Sequence, residues 1–146
     1  MSDKNYRASV QLVLSASAAG TPHHEVVLSL GKTPQYLMDH GFPGLDLVIK
    51  GRTIDKAHFD HGITRSLLER LGDVIHNPKA LYRSATVLGA AVVVTFEMKN
   101  ESPVLVPLHA NKPVGRTHAN LVASVYHKEP TVEERWQKQG LLLWRK

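Results

Sequence analysis

The period of the apolar residues changes once along this chain, at Asn77-Pro78, and that single change points to an α+β fold. Upstream, Leu67, Leu68, Leu71, Val74 and Ile75 recur at helical spacing behind Thr64, which predicts a helix over 64–75 with one buried stripe. Downstream the period is two. Residues 81–84, 91–97, 104–109 and 120–127 read as strands, parted by turn signals at Gly89, at Asn100-Glu101-Ser102-Pro103 and at Asn111-Lys112-Pro113-Val114-Gly115. Short connections make consecutive strands antiparallel neighbours. The expectation is a four-stranded antiparallel meander with N-terminal helices packed on one of its faces.

The remaining elements are shorter. Two apolar stretches, 9–17 and 26–30, are candidate strands. Thr33-Pro34 supplies an N-cap and a first-turn proline, and Gly41 a stop, for a helix over 34–40. Residues 45–49 alternate into an extended segment. Thr53 caps a second short helix through Phe59, broken at Asp60-His61-Gly62. At the other end Thr131-x-x-Glu134 is a capping box for a short C-terminal helix reaching Gln139-Gly140, and the apolar residues 141–144 must dock on something. No repeat or low-complexity linker divides the sequence, so residues 1–146 read as one domain.

Composition narrows the chemistry. The chain has no cysteine, which excludes disulfides, thiolate zinc sites, thiol catalysis and iron–sulfur ligation together. Lys and Arg number 18 against 13 Asp and Glu, giving a net charge of +5 that suits an anionic partner, nucleic acid first. No apolar run approaches the ~20 residues of a membrane span. The patch over 10–19 is a poor signal peptide, interrupted by Gln11 and serines. A cytoplasmic address is the expectation, reached directly or by delivery into a target cell as part of a toxin or phage system.

In the strand over 120–127, Leu121, Ala123 and Val125 form the apolar face, while Asn120, Ser124, Tyr126 and Lys128 put amide, hydroxyl, phenol and ammonium groups on the other, interrupted only by Val122. Such groups bind phosphate and sugar oxygens without a metal. Arg83 and Ser84 add a cation and a hydroxyl from a neighbouring strand. In the helical half, Lys56, His58 and His61 lie within six residues. His58 and His61 at i, i+3 would share a helix face and, with Asp55 or Asp60, could ligate a metal, but no third ligand compels that reading.

Five pieces together resemble the phage-associated branch of the barnase–EndoU–colicin–RelE nuclease superfamily, of the MuF C-terminal and polymorphic-toxin type. They are Leu30-Gly31-x-Thr33-Pro34-x-x-Leu37, Lys56-x-x-x-x-His61-Gly62-Ile63, Leu71-x-x-x-Ile75-x-Asn77-Pro78, Val92-Val93-Val94 and Asn120-x-x-x-Ser124-Val125-Tyr126-x-Lys128. The likeness covers about residues 30–128. It implies two helices against a four-stranded antiparallel sheet, an active site on the exposed sheet face, and metal-independent cleavage of RNA without a cofactor. It also implies an immunity or antitoxin partner if the protein is a toxin. Catalytic residues vary between branches of that superfamily, so fold alone assigns no mechanism.

On these residues, RNA cleavage by attack of the 2′-OH to a 2′,3′-cyclic phosphate calls for His61 as general acid or base. Lys56 would hold the phosphate, and Ser124 and Tyr126 would donate to its oxygens. Asn120, Arg83, Ser84, Lys128 and His58 would bind substrate. The assignment requires that His61, Ser124 and Tyr126 converge on one cleft edged by Lys56, Lys128 or Arg83. Three other readings use the same residues: a catalytically inactive nucleic-acid- or protein-binding module, a structural phage or virion component, and a His-dependent metal hydrolase.

Overall fold

A computed structural model describes residues 5–146. The elements run α1 (Tyr6–Ala18), β1 (Val27–Lys32), α2 (Gln35–Met38), β2 (Asp46–Lys50) and α3 (Gly51–Asp55), which continues as a π-helical turn, Lys56–Asp60. Then come α4 (Arg65–Glu69), α5 (Leu71–His76), β3 (Ala80–Arg83), β4 (Ala90–Lys99), β5 (Ser102–Val114), β6 (Thr117–Val122), β7 (Tyr126–His127), α6 (Val132–Lys138) and β8 (Leu142–Arg145).

The class is α+β, but the sheet is larger than a four-stranded meander. Among the described residues it has eight strands, in the order β1-β2-β6-β5-β4-β3-β8 with β7 also paired to β5. The run β3 to β6 is the expected antiparallel meander. Two additions flank it. The tail over 141–144 becomes β8, hydrogen-bonded to β3 at one edge. On the other side β2 joins β6 in parallel and carries β1 beyond it, so the sheet is mixed.

The stretch 9–17 is helical rather than extended. Tyr6, Val10, Val13 and Leu14 are its buried residues, a helical spacing that the intervening serines disguise as a broken strand. The Tyr6 hydroxyl donates to the Leu68 carbonyl at 2.7 Å and pins α1 to the end of α4. The helix expected over 64–75 divides at Arg70 into α4 and α5; Thr64 does cap it, accepting from the Leu67 N–H at 3.2 Å. Three proposed caps fail. Thr53 lies inside α3, whose N-cap position is Lys50. Pro34 rather than Thr33 holds the N-cap position of α2, because the Thr33 hydroxyl donates to the Leu45 carbonyl at 2.5 Å. Thr131 caps α6 with no side-chain bond.

Leu67, Leu68, Leu71 and Ile75 enter the main core with residues from α1, the inner strands and the face of β4 that carries Ala91 and Val93. The alternate residues Val92 and Val94 point to the opposite face, where α6 packs Val132 and Trp136 over Tyr82 and Leu105. Strand β4 is therefore covered on both sides, which accounts for its unbroken valine run. Beside α6 the second face stays open.

Candidate active site

The segment over 120–127 is not one regular strand. Leu121 and Val122 pair with His109 and Leu108 of β5, whereas Tyr126 and His127 pair with Leu105 and Val104. Between the two pairings the register slips by one residue through Ala123-Ser124-Val125, a β-bulge. Side chains alternate with period two, so one extra residue exchanges the faces. Val122 and Val125 join the main core, and Tyr126, opposite Leu105, packs against the cluster on the other face. The single polar stripe read from Asn120 through Tyr126 does not form.

Asn120 falls on the structural side of that break. It is fully buried, its Nδ2 donates to the Thr33 hydroxyl at 2.7 Å and to the Pro43 carbonyl at 2.9 Å, and its Oδ1 accepts from the Asn111 N–H at 3.0 Å. The amide ties the β6 strand to the loops at the far end of the sheet and offers nothing to a ligand. Ser124 sits in the bulge, partly exposed.

Tyr126 meets one other catalytic candidate, His61. Its ring centroid lies 6.0 Å from that of His61, tilted by 51°, a normal aromatic separation. His61 closes the π-helical turn, its N–H donating to the Lys56 carbonyl at 3.1 Å. Gly62 follows at φ +68°, a left-handed conformation that ends the turn and lets the chain leave without displacing His61. A Cβ there would also meet the Lys99 side chain at 2.9 Å. π-Turns recur at functional sites because they re-aim a side chain within a helix.

On the open sheet face Tyr126 lines a cavity of about 190 Å³ together with Arg83, Ser84, His109, Lys128 and Trp136. The Lys128 ammonium stands 6.0 Å from the Trp136 ring centroid. Burial, with Glu129 nearby, pushes the Tyr126 phenol up from its ordinary pKa, so it remains a donor throughout the neutral range. Burial and the Lys112 charge push the His109 imidazole down, so it rests neutral. His109 had no role in the sequence reading. The signal was present: Val104, Val106 and Leu108 face the core, and alternation puts His109 on the other side with Leu105. Strand geometry sets the residues at 105 and 109 about 13 Å apart, so Tyr126 and His109 approach the cavity from different ends.

Other expected site residues lie differently. Lys56 borders a separate cavity, with His24 and Asp55, not the one holding Tyr126 and Lys128. His58 Nδ1 is 2.8 Å from the Ile63 carbonyl and its ring meets Phe59 edge-on, which makes it a brace for the turn. The Ser84 oxygen accepts from the Thr86 and Val87 N–H groups at 3.3 and 3.0 Å, leaving its proton to donate. Among the described residues no three His, Cys, Asp or Glu side chains are grouped closely enough to hold a metal ion. Nor is any described helix long and apolar enough to cross a membrane.

The cavity offers a phenol held protonated, a neutral imidazole and two cations; His61 meets that phenol but, like Ser124, is not among the residues that line the cavity. Compared with known protein families, residues 52–146 match the model described as the phage MuF C-terminal domain. No curated protein and no solved structure matches the chain.

Proposed function

The chain belongs to the phage MuF C-terminal domain family, and on that premise we propose that it is a metal-independent endoribonuclease, a toxin or phage-associated effector. The observation that carries this reading is the contact of His61 with Tyr126, whose cavity also holds Lys128, Arg83 and His109. An anionic substrate suits these cations and the net charge of +5. RNA is the substrate because its 2′-OH is an internal nucleophile, which makes hydrolytic metal chemistry unnecessary.

In this mechanism the His61 imidazole takes the 2′-OH proton as the 2′-oxygen forms its bond to phosphorus. The bond from phosphorus to the 5′-oxygen breaks, and His61, as imidazolium, protonates the leaving oxygen. Tyr126 and Ser124 donate to the non-bridging oxygens, and Lys128 with Arg83 offsets the charge that builds on them. The products are a 2′,3′-cyclic phosphate and a 5′-OH. Expression of the wild-type chain and of His61→Ala, scored together for growth arrest and RNA integrity, tests the proposal. Arrest with RNA breakdown in the wild type only is expected; equal effects from both would overturn it.

A cognate immunity or antitoxin protein follows if the domain is a toxin. The family match itself favours one second reading, a phage-associated binding module without catalysis. Such a module would shift RNA on a gel but would not degrade it in substoichiometric amount.

A further inference from the structure

A second constellation lies on the helical side, away from Tyr126. The Ser17 hydroxyl of α1 donates to Asp55 Oδ2 at 2.5 Å, and His24 Nε2 stands 3.2 Å from the same oxygen. The other oxygen, Asp55 Oδ1, is buried and has no hydrogen-bond partner among the described residues. Asp55 as a whole is only 7% exposed. A buried acceptor left without a donor is costly, more so when charged, so the carboxylate of Asp55, a residue lining a cavity, has spare capacity for a donor from outside the chain.

That cavity encloses about 470 Å³ and is lined by Ser17, His24, Arg52, Asp55, Lys56 and Phe59 among others. Helical spacing organises it. Arg52 and Lys56 are one i, i+4 pair, Asp55 and Phe59 another. Phe59 is 54% exposed, an aromatic face open to solvent. The Arg52 guanidinium has only a loose, exposed partner, Glu25 at 3.5 Å. The loop that brings His24 over the helix is seated on Gly51: the Gly51 and Arg52 N–H groups donate to the Val26 and His24 carbonyls, and a Cβ on Gly51 would fall 2.0 Å from the His23 carbonyl oxygen. The wall is therefore built, not incidental.

We propose that this cavity is a nucleotide subsite for a flanking residue of single-stranded RNA, one whose base carries an exocyclic amino group. The inference rests on the ribonuclease reading above for the identity of the polymer. A flat aromatic surface stacks a base, two cations hold its phosphate, and a carboxylate with spare acceptor capacity takes its amino protons. Uracil is disfavoured because its single Watson–Crick donor is flanked by two carbonyls that would face the carboxylate. Asp55 Oδ1 is buried, so the base reaches it as the partly exposed His24 ring, which stands against Oδ2, swings aside. The same helical turn carries Lys56 and Phe59 at this cavity and ends at His61, which links the subsite to the cleavage site.

The test is nuclear magnetic resonance titration of the full chain with AMP, CMP, GMP, UMP and inorganic phosphate, followed at the amides of residues 24, 52, 56 and 59. The expected result is saturable shifts there with AMP, CMP and GMP, several-fold weaker binding of UMP, and about a tenfold loss of affinity in Phe59→Ala and in Arg52→Ala. Both side chains are exposed enough to be removed without unfolding the protein. Shifts confined to residues near Tyr126, or binding by phosphate alone that Phe59→Ala leaves unchanged, would overturn the subsite. Cleavage of RNA by the same preparation is scored separately. Cleavage without these shifts defeats the subsite and spares the ribonuclease; shifts without cleavage do the reverse.

Discussion

The imidazole of His61 and the phenol of Tyr126 stand 6.0 Å apart between ring centroids, one closing a helical turn and the other following a strand bulge. Each is held by a backbone irregularity, and neither would reach the other from a regular element. Removing the imidazole in His61→Ala should lower the cleavage rate about 10²–10⁴-fold. Tyr126→Phe keeps the ring and its packing but loses the donor, and should cost about 10²-fold. Filter binding to uncleaved RNA should change little in either, because donors to developing charge act in the transition state. Equal losses in binding and cleavage would favour the binding-module reading.

Asn120 separates architecture from catalysis. Its amide satisfies groups on two loops and on β5 from a fully buried position, so Asn120→Ala leaves several of them unpaired. The expected loss is about 2–4 kcal/mol of stability, read by urea unfolding. Cleavage per folded molecule should be retained. A substrate-binding Asn120 would give the opposite pair of results.

Much of this architecture was legible in the sequence. The leucine stripe of α4 and α5 and the strands β3, β4 and β5 follow from apolar period and turn residues alone, whereas the run over 120–127 is divided between β6 and β7. Of the flanking strands, β1 and β2 were legible as extended segments over 26–30 and 45–49, but their place in the sheet was not, because the parallel pairing of β2 with β6 joins segments that no local signal connects; β8 was too short to show alternation. The candidate site was legible as residue types and misread as geometry. A bulge leaves no mark in an Ala-Ser-Val run, yet it decides that Asn120 is structural while Tyr126 lies on the open face. His109 was visible to the period-two rule and was passed over.

His109 supplies the pH dependence. Its folded pKa lies below the usual value of about 6.5, because burial and Lys112 oppose the imidazolium. The unfolded chain therefore binds more protons as pH falls from about 6.5 to the folded value, and stability decreases across that window. Above it the contribution is fully present. His109→Gln should flatten the dependence of unfolding free energy on pH in that range.

Gly62 tests the aim of His61. At φ +68° an alanine costs about 1 kcal/mol, and its Cβ must displace the flexible end of Lys99. Gly62→Ala should unfold only a few degrees lower yet lose cleavage by more than the folded fraction explains. A thermal melt and an initial rate on the same sample decide it.

The central claim, metal-free cleavage through the 2′-OH, is read most directly from the ends of the products. Purified chain in substoichiometric amount is incubated with a single-stranded RNA in excess EDTA, and the 3′ ends are identified by mass spectrometry. The account predicts multiple turnover, 2′,3′-cyclic phosphate ends and no cut in DNA of the same sequence or at a 2′-deoxy position. Loss of activity in EDTA that zinc or manganese restores, cleavage of the DNA, or RNA left whole would contradict it.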